Sequence, residues 1–210
     1  MNDTASVIAR KLLEINAIKL NVDHPFTWAS GWRSPIYCDN RLSLSYPEVR
    51  THIKRLLSDT IKQAFDSIEA IAGVATAGIP QGALVADDLN VPFIYIRSKP
   101  KGHGMENMIE GKITPGQKVV VIEDLVSTGG SSLKAVEALR ANQLEVLGML
   151  SIFTYGFPVA EDNFSRAGVK LISLSNYSSL IDEALKLKYI DEEQISKLRQ
   201  WREFPSTWGN

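Results

Sequence analysis

The chain has few of the residues that mark a secreted or membrane protein. It contains one cysteine, Cys38, so no disulfide can form within it, which predicts a reducing, cytoplasmic environment. It has no apolar run long enough to cross a bilayer, and its first residues lack the apolar core of a signal peptide. The formal net charge is −1, which favours neither a nucleic-acid nor a membrane partner. Its 210 residues predict one domain with a small accessory region.

Two common phosphate-binding signatures are also missing. The chain has no Walker sequence ending in Gly-Lys-Ser/Thr and no G-x-G-x-x-G dinucleotide fingerprint. Instead, residues 119–122 are apolar and mostly β-branched, which indicates a buried parallel strand. Two carboxylates, Glu123 and Asp124, follow at its predicted end, and a short Ser/Thr/Gly loop comes next. An amphipathic helix is predicted after the loop from the spacing of Leu133, Val136 and Leu139.

This order of acids and small residues is typical of a sugar-phosphate site. Glu123 and Asp124 (the acid pair) can accept hydrogen bonds from hydroxyl groups, and the loop of residues 127–131 (the phosphate loop) can offer backbone N–H groups at a helix N-terminus. Gly129 and Gly130 let the backbone approach a phosphate without a Cβ in the way. The alternative is an ordinary strand-to-helix turn in which glycine and serine serve only the turn and the cap.

Strands and helices alternate after residue 46, which predicts an α/β fold with a central parallel sheet flanked by helices. Residues 1–45 are expected to form a first helix and then short strands and loops. Residues 46–210 would form the core, with a loop at residues 97–111. Ligands bind at the carboxyl ends of the strands in such sheets. The predicted strands are residues 70–75, 92–96, 119–122, 144–153 and 169–174. One helix is predicted to begin at Pro47, and others at residues 78–89, after the phosphate loop and at residues 159–167. Two further helices are predicted near the end of the chain, and Asp191 caps the last of them.

Residues 119–131 resemble the signature with which type I phosphoribosyltransferases bind phosphoribosyl pyrophosphate (PRPP). The resemblance implies that Glu123 and Asp124 hold the ribose 2′- and 3′-hydroxyls. It also implies that the phosphate loop holds the 5′-phosphate. The residues given that second role are Ser127, Thr128, Gly129, Gly130 and Ser131.

A second motif is the basic, glycine-punctuated segment (the basic loop, residues 97–111) that follows the predicted strand 92–96. Its residues 95–104, Tyr-Ile-Arg-Ser-Lys-Pro-Lys-Gly-His-Gly, resemble the catalytic loop of the orotate phosphoribosyltransferases. The resemblance implies that Arg97, Lys101 and His103 contact pyrophosphate and act in catalysis, and that the loop reaches the neighbouring subunit of a homodimer. Ser98 stands where many members have a lysine. A solvated basic hairpin is the alternative.

A third motif, Phe26 to Tyr37, resembles the N-terminal hood of the same family, which closes over the planar base. The alternative is a small aromatic core. Some members place lysine where Ala29 stands and an orotate-binding arginine where Tyr155 stands. The orotate carboxylate therefore needs another partner, and Arg33 and Arg41 are the candidates. The predicted orotate contacts are Thr128, Tyr37 and Arg33.

The three motifs together imply transfer of 5-phosphoribosyl from PRPP to N1 of orotate, with Mg²⁺ held mainly through PRPP rather than by protein ligands. The products would be orotidine 5′-monophosphate and pyrophosphate, as in de novo pyrimidine biosynthesis. A purine or uracil phosphoribosyltransferase shares the acid pair and the phosphate loop but not the hood and basic-loop motifs. A non-catalytic regulator that senses PRPP is the alternative from another class, and fold resemblance alone does not exclude it.

Overall fold

The computed structural model describes residues 4–28, 30–99 and 108–208. The chain folds into two compact units, residues 1–47 with 175–210 and residues 48–174. The predicted division into a hood of residues 1–45 and a core of residues 46–210 is a functional one and stays a prediction. The compact units differ from it because residues 175–210 group with the N-terminal residues. No helix in the described ranges is both long and apolar enough to cross a membrane.

The second unit is built on a six-stranded sheet with the strand order β10-β9-β8-β5-β6-β7. The strands are β5 (Ala70–Val74), β6 (Phe93–Ile96), β7 (Ile109–Glu110), β8 (Lys118–Val126), β9 (Glu145–Thr154) and β10 (Leu171–Asn176). β5 pairs in parallel with β6 and β8, and β8 pairs in parallel with β9. This arrangement confirms the predicted α/β class with a parallel central sheet.

The helices of this unit lie at or close to their predicted positions. They are α2 (Pro47–Ala64), α3 (Gly78–Leu89), α4 (Gly130–Ala141) and α5 (Pro158–Arg166). Every residue of β5 is buried, and so are residues 119–123 of β8, because helices cover a parallel sheet on both faces. The core therefore holds the central strands rigidly at the point where they carry the acid pair.

The basic loop differs from its prediction at one end. Residues 109–110 form β7, which pairs antiparallel with β6 through Tyr95↔Glu110 and Ile96↔Ile109. Residues 109 and 110, at the end of the predicted loop, therefore belong to the sheet edge rather than to a loop. A two-residue strand is too short to show a period in the sequence.

The first unit joins both ends of the chain. It contains α1 (Thr4–Glu14), β1 (Ile18–Leu20), β2 (Phe26–Thr27), β3 (Arg33–Ser34), β4 (Ile36–Cys38), a 3₁₀ helix (Asn40–Ser45), α6 (Tyr177–Lys186) and α7 (Glu192–Glu203). Arg10 of α1 donates to the buried Glu183 of α6 through Nε (3.0 Å) and Nη2 (2.8 Å). Asp191 caps α7 with a full capping box, as its position predicts.

Candidate active site

The carboxyl ends of the parallel strands meet along one edge of the sheet. Val74 of β5 pairs with Ile96 of β6, and Val126 of β8 pairs with Thr154 of β9. The turn after β5, the start of the basic loop at Arg97 and the phosphate loop therefore all leave the sheet at this edge. The structure thus brings together two segments that the sequence singled out, the start of the basic loop and the phosphate loop, and adds the turn after β5.

Gly78 allows the turn after β5 to lie close to the strand that carries the acid pair. A Cβ at Gly78, the first residue of α3, would collide with the carbonyl oxygen of Ile122 and lie 3.4 Å from the Cα of Glu123. Glycine is required here because the two backbones approach each other directly. The first turn of α3 is consequently held beside the acid pair.

The acid pair lies within β8 rather than after its end, which corrects the predicted strand boundary. β8 continues past the acids to Val126 because its ladder with β9 continues, through Glu123↔Ser151 and Leu125↔Phe153. Side chains alternate along a strand, so the two carboxylates have different environments. Glu123 is buried, whereas Asp124 is partly exposed.

Glu123 is held by two hydrogen bonds. The Oγ of the buried Ser132 donates to Glu123 Oε2 (2.9 Å), and the backbone N–H of Asp124 donates to Glu123 Oε1 (3.1 Å). Burial raises the pKa of Glu123 to about 8, and the neighbouring charge of Asp124 adds to this rise, while the Ser132 hydrogen bond opposes it. The carboxyl group is thus oriented in advance and is easier to protonate than an ordinary glutamate.

The phosphate loop turns sharply at Gly129, whose φ is +81°. Ser127 and Thr128 are partly exposed, and Gly130 and Ser131 lie at the start of α4, where Ser131 is exposed. Ser131 therefore lies in the first helical turn rather than in a loop. The combination of a left-handed glycine with a helix N-terminus presents backbone N–H groups that can donate hydrogen bonds to an anion.

Helix α5 braces the phosphate loop through two consecutive residues. Asn163 Nδ2 donates to the carbonyl oxygen of Thr128 (3.0 Å). The ring of Phe164 lies so close to Gly129 that a Cβ there would be 2.7 Å from Phe164 Cε2. Both contacts are missing from the sequence interpretation. Phe164 lies on the apolar stripe of the predicted helix 159–167, but nothing near Asn163 in the sequence indicates its partner.

Arg97 is the first residue of the basic loop. Of the three predicted catalytic residues, it is the one that lies in the described part of the chain. Its backbone N–H donates to the carbonyl of Met108 (2.8 Å), and its Nη1 lies 3.3 Å from Glu110 Oε1. Both side chains are partly exposed, so the ion pair is weak and an anion can compete for the guanidinium. Lys101 and His103 lie outside the described residues.

The hood motif forms two short antiparallel ladders, β1 with β4 and β2 with β3. Arg33 is an exposed residue of β3, and Tyr37 is a 42% exposed residue of β4. The ring centroids of Phe26 and Tyr37 are 5.7 Å apart, and those of Trp28 and Trp32 are 6.4 Å apart and stacked. The motif therefore contains two pairs of contacting rings that are only partly buried, and Tyr37 is open to solvent.

Trp201 of α7 anchors these ladders within the first unit, and the sequence interpretation missed it. Its side chain is fully buried, its Nε1 donates to the carbonyl oxygen of Arg33 (3.2 Å), and its ring meets Trp28 edge-on at 5.7 Å. Arg41, the second candidate for the orotate carboxylate, forms an ion pair with Asp39 (2.6 Å). The Arg41 guanidinium lowers the pKa of Asp39.

Comparisons with known proteins decide the family. The phosphoribosyl transferase domain model matches residues 44–186. The chain is 57% identical over 209 residues to the orotate phosphoribosyltransferase of Porphyromonas gingivalis, covering 100% of both chains, and 59% identical over 208 residues to that of Cytophaga hutchinsonii, covering 99% of both. The chain belongs to the orotate phosphoribosyltransferase family. The predicted family and fold are thereby confirmed.

A solved structure supports the same assignment. The orotate phosphoribosyltransferase of Aeropyrum pernix superposes with a TM-score of 0.75 at 32% identity, over 87% of this chain and 99% of that chain. The whole-length sequence matches include the hood, whereas the domain model begins at residue 44. The relationship to orotate phosphoribosyltransferases thus extends beyond the part that the domain model covers.

The two positions at which the sequence interpretation expected a departure from some family members are Tyr155 and Ala29. Tyr155 is buried between Phe153 (5.5 Å, edge-on) and Phe157 (5.4 Å, stacked), so it packs in an aromatic row. Ala29 lies outside the described residues.

Proposed function

We propose that this orotate phosphoribosyltransferase family member transfers 5-phosphoribosyl from PRPP to N1 of orotate, giving orotidine 5′-monophosphate and pyrophosphate in pyrimidine biosynthesis. The observation that carries the proposal is the strand–loop–helix of β8 and α4. It places a held carboxyl group, a partly exposed carboxyl group and a helix N-terminus within one short segment, Glu123 to Ser131. This is the arrangement that a ribose phosphate requires.

In the proposed complex, the acid pair accepts hydrogen bonds from the ribose 2′- and 3′-hydroxyls. The Ser132 and Asp124 N–H hydrogen bonds support this role because they fix the Glu123 carboxyl before the ligand arrives. The carboxyl group of Glu123 can accept a hydrogen bond from a ribose hydroxyl whether or not the group is protonated. The phosphate loop, residues 127–131, donates to the 5′-phosphate.

The leaving pyrophosphate would be neutralised by Arg97, Lys101 and His103. As the C1′–oxygen bond breaks, negative charge grows on pyrophosphate while the ribosyl ring becomes positively charged. Cations that meet the leaving group at this stage stabilise the transition state more than the ground state. N1 of orotate then bonds to C1′, and the N1 proton passes to the released pyrophosphate or to water. Because the transition state resembles an oxocarbenium ion, little side-chain proton transfer is needed.

Mg²⁺ is proposed to be bound chiefly through PRPP oxygens. Within residues 4–28, 30–99 and 108–208, no group of three or more His, Cys, Asp or Glu side chains is placed to hold a metal ion. The proposal follows the usual chemistry of Mg²⁺, which proteins bind through one or two carboxylates together with substrate phosphates. When bound, the ion would offset the charge of the diphosphate.

Orotate is proposed to contact Tyr37, Arg33 and Thr128. The exposure of the Tyr37 ring and of the Arg33 side chain supports this, because an aromatic face and a guanidinium suit a planar ring that carries a carboxylate. Arg41 is a weaker candidate because Asp39 already forms an ion pair with it.

A substrate screen tests the proposed reaction. The purified protein is incubated with PRPP, Mg²⁺ and one free base at a time, and base absorbance is followed. Orotate should be consumed and pyrophosphate released in equal amounts, with uracil, adenine and hypoxanthine unchanged. Consumption of another base would favour a purine or uracil phosphoribosyltransferase. PRPP binding with no base consumed would favour the regulator.

A homodimer that shares its basic loops is also proposed. If Lys101 of one subunit serves the acid pair of the other, a dimer of one Lys101→Ala and one Asp124→Asn subunit has one intact site. Mixing the two nearly inactive proteins should restore up to about a quarter of wild-type activity for random pairing. Subunit exchange without recovered activity would show that the loop serves its own chain.

A further inference from the structure

The phosphate loop contacts a helix that no part of the sequence interpretation connected with PRPP. Asn163, in the second half of α5, reaches the backbone of Thr128, which with Gly129 forms the centre of the loop. Its Nδ2 lies 3.0 Å from the Thr128 carbonyl oxygen, which is a hydrogen bond of ordinary length.

The orientation of the Asn163 amide is set by Arg166. Arg166 Nη2 donates to Asn163 Oδ1 at 2.6 Å, which is short because the donor is charged. A guanidinium has no acceptor, so the atom that faces it must be the amide oxygen. The amide nitrogen therefore faces Thr128. The two hydrogen bonds, from Arg166 to Asn163 and from Asn163 to Thr128, are then polarised in one direction, which strengthens the bond to the Thr128 carbonyl.

Fixing the Thr128 carbonyl also fixes the next N–H group. The peptide between Thr128 and Gly129 is trans, and the C=O and N–H bonds of a trans peptide point in opposite directions. With its carbonyl directed at Asn163, this peptide directs the Gly129 N–H away from that side chain. The ring of Phe164 packs against Gly129 and blocks movement of the loop towards the helix.

We propose that Asn163 is a positioning residue for the 5′-phosphate of PRPP. It aims the Gly129 N–H at the phosphate by holding the other end of the same peptide. The inference rests on the proposed function of the phosphate loop. Without Asn163 the peptide can rotate between several orientations, and binding must then select the productive one, which weakens affinity without removing any direct contact.

The test compares Asn163→Leu with a matched control, Asn142→Leu. Asn142 Nδ2 also donates to a backbone carbonyl, that of Ala138 at 2.9 Å, and both asparagines are half-buried. Loss of one such hydrogen bond predicts up to about a tenfold rise in Kd and KM for PRPP in Asn163→Leu, with KM for orotate changed less than about twofold. Asn142→Leu should leave the Kd for PRPP, the KM for PRPP and the KM for orotate unchanged. Asn163→Asp should bind PRPP more weakly still, because a carboxylate oxygen would face the Thr128 carbonyl.

A second readout isolates the 5′-phosphate. Calorimetry compares orotidine 5′-monophosphate with orotidine, which lacks the phosphate. Asn163→Leu should weaken the nucleotide about tenfold and leave the nucleoside within about twofold, so that their affinity ratio falls. Equal losses for both, or PRPP affinity indistinguishable from wild type, would overturn the proposal. If Asn163→Leu does not fold, Asn163→Ser is judged by the same ratios.

Failure of this inference is distinguishable from failure of the proposed function. If wild-type protein consumes orotate but Asn163→Leu binds PRPP normally, only the positioning role is wrong. If wild-type protein binds PRPP without consuming orotate, the proposed reaction is wrong, while a selective loss of PRPP affinity in Asn163→Leu still supports the positioning role.

Discussion

The phosphate loop and the hood differ in how their functional residues are distributed along the chain. The acid pair and the phosphate loop are contained in residues 119–131, on one buried strand and the helix that follows it. The hood residues lie on strands of two or three residues. A nine-residue strand with a buried centre is held by its neighbours on both sides, whereas two-stranded ladders are marginally stable alone.

The two regions obtain support from outside in different ways. Asn163 and Phe164 of α5 support a loop whose own strand is already fixed. Trp201, 168 residues from Arg33, supplies a hydrogen bond to the β3 backbone and a ring against Trp28. We infer that PRPP binding depends mainly on a local motif, whereas orotate binding depends on the folding of the C-terminal helix against the hood.

The largest effect is expected from Gly129→Val. The new side chain would collide with the Phe164 ring, and a branched residue is strained at a φ of +81°. The loop would have to move, its N–H groups would lose their aim at the phosphate, and PRPP affinity should fall at least about a hundredfold by calorimetry. Gly116→Val is the matched control, because Gly116 has a φ of +82° but no atom within 4 Å of an added Cβ. It carries the same backbone strain, and its PRPP affinity should match that of wild type. Affinity retained in Gly129→Val would break the assignment of the phosphate loop.

Asp124→Asn should weaken PRPP far more than orotate. A hydrogen bond from a ribose hydroxyl to a carboxylate is worth about 1.5–3 kcal/mol, which corresponds to roughly 10- to 150-fold in affinity. Calorimetry with each substrate measures both losses. Asp59→Asn, which changes an exposed acid of α2, is the control and should bind both normally. Equal losses for PRPP and orotate would contradict the separation of the two regions.

Glu123→Gln should alter the pH dependence of stability. The pKa of Glu123 is raised from 4.5 to about 8 in the folded chain, so between these values the unfolded carboxyl is ionised while the folded one keeps its proton. The unfolded state then binds fewer protons, and the free energy of unfolding falls as pH rises from about 4.5 to 8. Glutamine cannot ionise, so the variant escapes this loss.

The advantage of Glu123→Gln over wild type should therefore grow from about pH 5 to about pH 8, by on the order of a few kcal/mol. Denaturant unfolding of both ligand-free proteins at the two pH values measures it. Glu137→Gln, at an exposed position of α4, should show no such trend. A stability difference that does not change with pH would show that Glu123 is ionised in the folded protein throughout.

The contrast between the two regions also explains what the sequence could predict. Strand β5, helix α3 and the acid pair followed from apolar runs, turn residues and charge, all of which are local signals. The strand β8 extends beyond its predicted end because its pairing with β9 outweighs the low strand propensity of two acids. Asn163 and Trp201 escaped prediction because their partners lie far away in sequence, and only the folded chain brings them together.

The smallest effect is expected from Trp201→Phe. Phenylalanine keeps an aromatic ring against Trp28 but cannot donate to the Arg33 carbonyl, a hydrogen bond worth about 0.5–1.5 kcal/mol. Because Arg33 and Tyr37 are the proposed orotate contacts, KM for orotate should rise about two- to tenfold, with KM for PRPP nearly unchanged.

Trp208→Phe, at a partly exposed tryptophan beyond the end of α7, is the matched control for Trp201→Phe and should leave both KM values unchanged. Melting temperatures separate positioning from general loss of stability, because a less stable but correctly folded enzyme keeps its KM values. An equal rise in both KM values would show that α7 supports the whole protein rather than the hood. An unchanged KM for orotate would show that the β3 backbone keeps its position without Trp201, and orotate binding would then be as local as PRPP binding.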